Sequence, residues 1–468
     1  MLLLLIWVSL SAEIRSLWIP PWSMKTPESI DTALLAAYNN NQNEVLLEVR
    51  YRSDALYTPN RLSNNYYNPE PRSYILANDG FDPLSYTLEK AHILGLKVHA
   101  WVIVFNATPL EPRLVSQNYI YNNHSEWFTN DQAGNKMNTS EQFGYFIDPG
   151  IPEVQEYLLD IFSDIVEGYP DLDGLHLDYI RYPNRTWGYH PISVERYELY
   201  NREHPPLAWN DWRIKQVSDF VESCSIRLKQ INPKLLLSAA VFSSISDARI
   251  GYAQDWYDWM NRGLLDRVYP MAYTLDFDAF QTQLRDLKTL DKDDAIVIGL
   301  RAWDAAGRSL MPWDSPQYNI SHINRRIDYV RACDFGGIAL FSYDGLKAGN
   351  ALDHLANLAY QDEGTPEVAE PAIKTPADAT FTSASTQYII DLVIPYEGRW
   401  SLTLKDLDET ILYHRERYYL RGENRDFWDG RSLEGQKVTA GVYFVHISNE
   451  ADPYEYIIPV ILGELSGE

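Results

Sequence analysis

The chain has 468 residues, 45% of them hydrophobic and 13% aromatic, with 24 Gly and 26 Pro spread along it. Collagen-like and disordered chains are excluded, and the length suits two to four domains or one large enzyme domain with a smaller companion. Its 40 Lys+Arg against 65 Asp+Glu leave a net charge of −25, a field that repels phosphate backbones and anionic bilayers, so nucleic acid is not an expected partner. Cys224 and Cys333, the only cysteines, lie in stretches that read as helices, and no disulfide framework is expected.

Residues 2–10, LLLLIWVSL, are too short to span a bilayer and are followed by the small residues Ser11 and Ala12. They read as a signal peptide over 1–12, and a buried first strand is the other reading. Export to the periplasm, cell surface or medium, with no transmembrane anchor, is the expectation. From Glu13 to about 360, eight short runs rich in β-branched residues alternate with amphipathic stretches. The runs cover 14–19, 44–51, 97–105, 172–180, 235–242, 266–273, 295–302 and 336–343, and segments such as PESIDTALLAAYNN and PEVQEYLLDIFSDIVEG follow as helices. Eight strands alternating with helices predict an α/β fold, a (β/α)8 TIM barrel over 13–360, and the Gly-rich turn of a doubly wound sheet is absent after the first strand. Long connections at 106–149 and 182–208 follow the third and fourth strands, at the end where barrels build active sites. Residues 361–380, rich in Pro, Glu, Ala and Thr, read as a linker, and 381–468 carry several strand-like runs of a small all-β sandwich.

Alternation sorts each barrel strand into a packing face and a lumen face. On the fourth strand Leu175, Leu177 and Tyr179 fall on one side, His176 and Asp178 on the other. On the second, Glu48, Arg50 and Arg52 oppose Val45, Leu47, Val49 and Tyr51, with Asp54 in the loop beyond. The remaining lumen candidates are His99 and Trp101, Tyr269, Met271 and Tyr273, and Arg301 followed by Trp303. No HExxH, paired Cys, Walker loop or GxSxG occurs, so neither metal nor cofactor is expected and carboxylate chemistry remains. Cleaving a glycosidic bond needs a proton donor at the leaving oxygen and a second group at the developing oxocarbenium centre. A structural Asp pairing with Arg181 is the competing reading of Asp178.

LDGLHLDYIRYP (172–183), with EVRYRSDALY (48–57) and HAWVIVFN (99–106), resembles the glycosyl-hydrolase-like family 10 group. IDPGIPEVQEY opening the helix after the third strand and DRVYPMAY at the sixth add to the likeness. The resemblance implies an exported TIM-barrel glycosidase acting on cell-wall glycan, such as peptidoglycan strands freed of stem peptides. A more distant similarity is to family-18 chitinases. Met271 and Tyr273 match their sixth strand and Asp178 the last Asp of the fourth, but His176 replaces the preceding Asp and Ile180 stands where the catalytic Glu would be. Tyr273 would suit assistance by a substrate N-acetyl group.

On this basis Asp178 is the principal catalytic carboxylate, as general acid, oriented by His176 or Arg181. Asp54 in the SDALY segment is its partner, chosen over Glu48, whose position in relatives holds an amide; an Asx-turn is the other reading of Asp54. Arg50, His99, Trp101, His176, Arg181, Tyr269, Tyr273, Arg301, Trp303, Tyr343 and Asp344 are the substrate-binding candidates, and Asp148 reads as a helix cap. The segment 427–448 resembles immunoglobulin-like modules, in which Trp400, Trp428 and Tyr443 are core. Two alternatives stay open: a non-catalytic carbohydrate-binding protein on a hydrolase scaffold, and a hydrolase of plant or algal polysaccharide.

Overall fold

The structure, a computed structural model, describes residues 13–62, 65–76, 80–137, 144–290, 292–303, 320–349, 351–352, 355, 378–384, 387–394, 398–406, 410–419, 422–449 and 456–463. The leader expected at 1–12 and most of the linker expected at 361–380 lie outside them. The chain divides between Gln361 and Asp362 into two compact units.

In the first unit eight parallel strands close into a barrel in chain order: β1 (Ile14–Ile19), β2 (Glu44–Arg50), β3 (Lys97–Ile103), β4 (Gly174–Asp178), β5 (Leu236–Phe242), β6 (Arg267–Met271), β7 (Val297–Arg301) and β8 (Gly337–Phe341). Each outward face is apolar, as at Val45, Leu47 and Val49, and is buried under helices such as Pro27–Asn39 and Pro152–Gly168. Thr26 starts the first of these helices, its hydroxyl accepting from the Ser29 amide while the Ser29 hydroxyl answers the Thr26 amide. The lumen is packed in layers by Trp18, Leu46, Trp101, Ile103, Tyr269, Val297 and Ala339. Gly174 is required there: a Cβ on it would stand 2.6 Å from the His99 ring that lies against it.

The floor of the lumen is polar but closed on itself. Glu44 accepts from Tyr269 (2.6 Å), Ser16 (2.5 Å) and Arg267 (2.9 Å), and His99 Nε2 stands 3.2 Å away. One layer up, Trp18 Nε1 donates to His176 Nε2 (3.4 Å), which leaves the His176 Nδ1 proton for Ser238 (2.9 Å). Burial holds His176 well below its ordinary pKa, so it is neutral.

Among the described residues of the second unit, seven antiparallel strands form two sheets over one core. β9 (Asp378–Ala384), β10 (Gln387–Ile394) and β13 (Gly422–Trp428) make one sheet, in the order β13-β10-β9. β11 (Gly398–Lys405), β12 (Ile411–Tyr419), β14 (Gly441–Ser448) and β15 (Tyr456–Leu462) make the other, in the order β12-β11-β14-β15. Trp400, Trp428 and Tyr443 are buried in that core. Among the described residues no helix is long and apolar enough to cross a membrane.

Candidate active site

At the C-terminal end of the barrel strands a cavity of about 320 Å³ is lined by Glu48, Asp178, Arg52, Arg181 and a wall of rings including Tyr51, Trp101, Tyr179, Tyr273 and Phe341. Asp178 ends β4. The backbone then turns left-handed at Tyr179 (φ 52°), a conformation costly for a bulky residue, and folds the Tyr179 amide onto Asp178 Oδ1 at 2.7 Å. On the neighbouring strand Trp101 Nε1 donates to Oδ2 at 3.1 Å. Burial pushes the Asp178 carboxyl up, and the Tyr179 amide, the Arg181 guanidinium, Trp101 and Arg52 pull it back.

Glu48 projects from β2 into the same cavity and is 5% exposed. Burial, then the charge of Asp178, push it well above the ordinary carboxyl range, and Arg52 offsets only part of this. The two carboxyls therefore have unequal environments. Both carboxyls are raised, Glu48 the further: Asp178 has an amide, an indole N–H and two cations to answer its charge, whereas Glu48 faces the charge of Asp178 with Arg52 opposing it.

The sequence-derived candidates divide by layer. Asp178, Trp101, Arg181 and Tyr273 line the cavity. The Arg181 guanidinium lies 4.8, 5.0 and 5.3 Å from the ring centroids of Tyr179, Phe242 and Tyr252, so its position is set by packing against aromatics. His176 sits a layer below and binds Trp18 and Ser238 rather than Asp178. His99 and Tyr269 belong to the floor, around Glu44. Trp303 stacks edge-on to Tyr273 (5.5 Å) behind the cavity wall, with the buried Arg301 over its ring at 4.5 Å. Tyr343 is core, and Asp344 accepts from the Ser23 hydroxyl. Asp148 is not a cap: it accepts from Gly150 N and Thr129 Oγ1 four residues ahead of a helix whose start, Ile151, has no side-chain cap.

Arg50 and Asp54 leave the lumen for one reason. Glu48 pairs with Trp101 and Arg50 with Val102, so β2 carries an extra residue there and the alternation breaks. Arg50 is turned outward and fully buried. It binds Glu70 through Nε (2.9 Å) and Nη2 (2.6 Å), and the carbonyls of Ile103 and Val104. Glu70 also accepts from Tyr157 at 2.9 Å. Asp54 lies with this group beneath the loop, within 3.4 Å of the Ser73 hydroxyl; burial and Glu70 raise it to about 7. It does not line the cavity with Asp178. Arg52 and Ser53, left-handed at φ 53° and 68°, turn the chain just after β2, and Arg52 lines the cavity with the carboxyls. Glu48 was legible as an inward residue from alternation alone, one position before alternation fails. Among the described residues no cluster of three or more His, Cys, Asp or Glu could hold a metal ion.

Residues 6–301, more than half of the chain, match the family described as Glycosyl hydrolase-like 10. Glycosyl hydrolase DigH of Escherichia coli O6:H1 is 28% identical over 220 residues, covering 42% of this chain and 47% of its own length. Glycosyl hydrolase YngK of Bacillus subtilis is 24% identical over 318 residues, covering 62% of this chain and 58% of its own. The chain thus spans about half the length of these curated relatives. The glycoside hydrolase domain of PgaB (BpsB) from Bordetella bronchiseptica shares the fold, with a TM-score of 0.55 at 13% identity over 74% of this chain and 99% of that one. With the family match spanning β1 to the end of β7, this chain belongs to the glycosyl hydrolase-like 10 family.

Proposed function

We propose that the protein is an exported glycoside hydrolase in which Glu48 protonates the leaving glycosidic oxygen and Asp178, ionised, stabilises or attacks the anomeric carbon. The observation that carries this reading is the pair of unequal carboxyls in a ring-walled barrel mouth. It reverses the role expected for Asp178 from sequence and replaces Asp54 by Glu48. The rings of Trp101, Tyr179 and Tyr273 offer flat apolar faces with polar edges, suited to pyranose rings. An N-acetylated glycan, such as peptide-free peptidoglycan strands, is the proposed substrate; the family resemblance supports it, as does Tyr273, placed beside Asp178 where it could meet an N-acetyl group. The apolar run at 2–10 supports export.

The test is a mass-spectrometric product scan of the full chain on peptidoglycan strands, chitin oligomers and plant polysaccharides, beside Glu48→Gln and Asp178→Asn. Products released by the unsubstituted protein and lost in both variants bear the proposal out. Glycan-dependent thermal shifts without products from any of the three would make it a binding protein instead.

A further inference from the structure

The catalytic cavity does not stand alone. Phe242, Met271 and Tyr273 form part of its wall and also line a second, larger groove of about 790 Å³. That groove is built by the segments following β4, β5 and β6, with Asn184, Thr186, Gly251 and Gln283 among its lining residues. Pockets for one small ligand span roughly 300–1,000 Å³, so a cavity and a groove that share a wall together exceed what a single sugar unit needs.

Across the barrel is a different feature. The strands close in chain order, so β1 lies opposite β5. Just after β1, Trp22 is 45% exposed and packs edge-on to Tyr51, ring centroids 5.5 Å apart, and Tyr51 is itself a wall of the catalytic cavity. A lone exposed Trp needs no explanation. This one continues the cavity wall outward on a rigid mount: Pro20 and Pro21 fix the backbone before it, and Ser23 after it is tied to Asp344 beyond β8.

We propose that these features form one glycan track, with Trp22 and Tyr51 holding sugars on one side of the carboxyl pair and the Thr186–Gly251–Gln283 groove holding them on the other, so that the enzyme cuts inside chains. This rests on the hydrolase reading of the cavity. A rigid aromatic shelf stacks a sugar face at little conformational cost, while the groove offers hydroxyls and amides to the next units. A strand bound on both sides presents an internal bond to Glu48 and Asp178.

Two substitutions test the ends separately. Trp22→Ala removes the shelf from an exposed position. Gly251→Trp adds bulk to the groove lining at a position where a Cβ meets nothing within 4 Å and the backbone is not left-handed. The probes are peptide-free peptidoglycan strands and chitin oligomers of graded length, with product lengths followed over time. The unsubstituted enzyme should yield mid-length fragments early. Each variant should raise KM on long strands about fivefold to tenfold, with a loss that grows with chain length, and Trp22→Tyr should recover much of it. Release of terminal units from the first minutes, or losses equal at all lengths, overturns the track while leaving the hydrolase reading intact. If glycans bind without turnover, the hydrolase reading fails, and calorimetric affinities are held to the same criterion: strengthening with length in the unsubstituted protein and less so in both variants supports the track, and no length dependence overturns it. Neither turnover nor binding of any glycan overturns both.

Discussion

Replacing Glu48 by Gln keeps the size of the side chain and removes its proton-donating ability. General acid catalysis contributes roughly 10²–10⁴ in rate, so kcat on a natural glycan should fall by that factor, about 3–5 kcal/mol of barrier. The loss should be far smaller on an aryl glycoside, whose phenolate leaves without a proton. The pH profile separates this from a structural effect. On the proposed assignment, activity requires Glu48 protonated and Asp178 ionised. Because burial and Asp178 raise Glu48 well above the ordinary carboxyl value, the fall in rate with rising pH marks loss of its proton. In Glu48→Gln that alkaline limb should vanish, while the acid limb, set by Asp178, stays in place because Glu48 is already neutral there. Asp178→Asn should abolish turnover of both substrates. Initial rates across pH on the two substrates provide the measurement. Equal loss on both with the alkaline limb retained would refute the assignment of Glu48 as the acid.

Trp101→Phe removes the indole donor from Asp178, which raises the carboxyl further, so the acid limb should move to higher pH and kcat/KM should drop about tenfold; an unmoved limb would mean that Trp101 only packs. Asp54→Asn should retain turnover far better than Glu48→Gln and should change stability instead. Asp54 binds its proton up to about pH 7 in the folded chain and only to about pH 4 unfolded, so its contribution is full below pH 4 and is lost as pH rises through 7, on the order of a few kcal/mol. Urea midpoints against pH should fall less steeply in Asp54→Asn across that window, and an unchanged slope would count against the buried placement. Glu70→Gln strands the Arg50 guanidinium and should cost the first unit about 3–5 kcal/mol in urea unfolding, with Arg50→Met in the same chain restoring part of it.

The barrel was legible because eight β-branched runs each met a helix pattern, and β4 was read correctly through Asp178, where the strand ends; Tyr179, expected on the packing face, turns left-handed and lines the cavity beside Asp178 instead. The second strand misled beyond Glu48. A bulge is one residue of backbone with no composition mark, and it moved Arg50 to the outside and Asp54 under a loop. The partner that holds Arg50 there, Glu70, lies in a connection without periodicity, so the ion pair had no sequence signal. In the second unit β9 and β13 escaped notice for a different reason. They are the outer strands of a three-stranded sheet, and their sequences DATFTSA and GENRDFW are mostly polar, as sheet edges are.

Glu44 and Glu48 show why burial by itself does not mark a catalytic carboxylate. Both project into the lumen from β2, four residues and two layers apart, at 3% and 5% exposure. At the floor, burial would raise Glu44, but His99, Arg267, Ser16 and Tyr269 outweigh it and the carboxyl is lowered: its charge is fully answered within the protein. At the mouth Glu48 faces another carboxylate and has Arg52 as its compensating charge. A carboxyl whose charge is satisfied has no reason to exchange a proton, and one whose charge is opposed keeps its proton until a substrate oxygen can take it. Alternation could place both residues inward, but only the closing of the barrel, which brings His99 of β3 and Arg267 and Tyr269 of β6 to Glu44 and Asp178 of β4 to Glu48, decides which charge is answered and which is opposed, and it is on that difference that the proposed role of Glu48 rests.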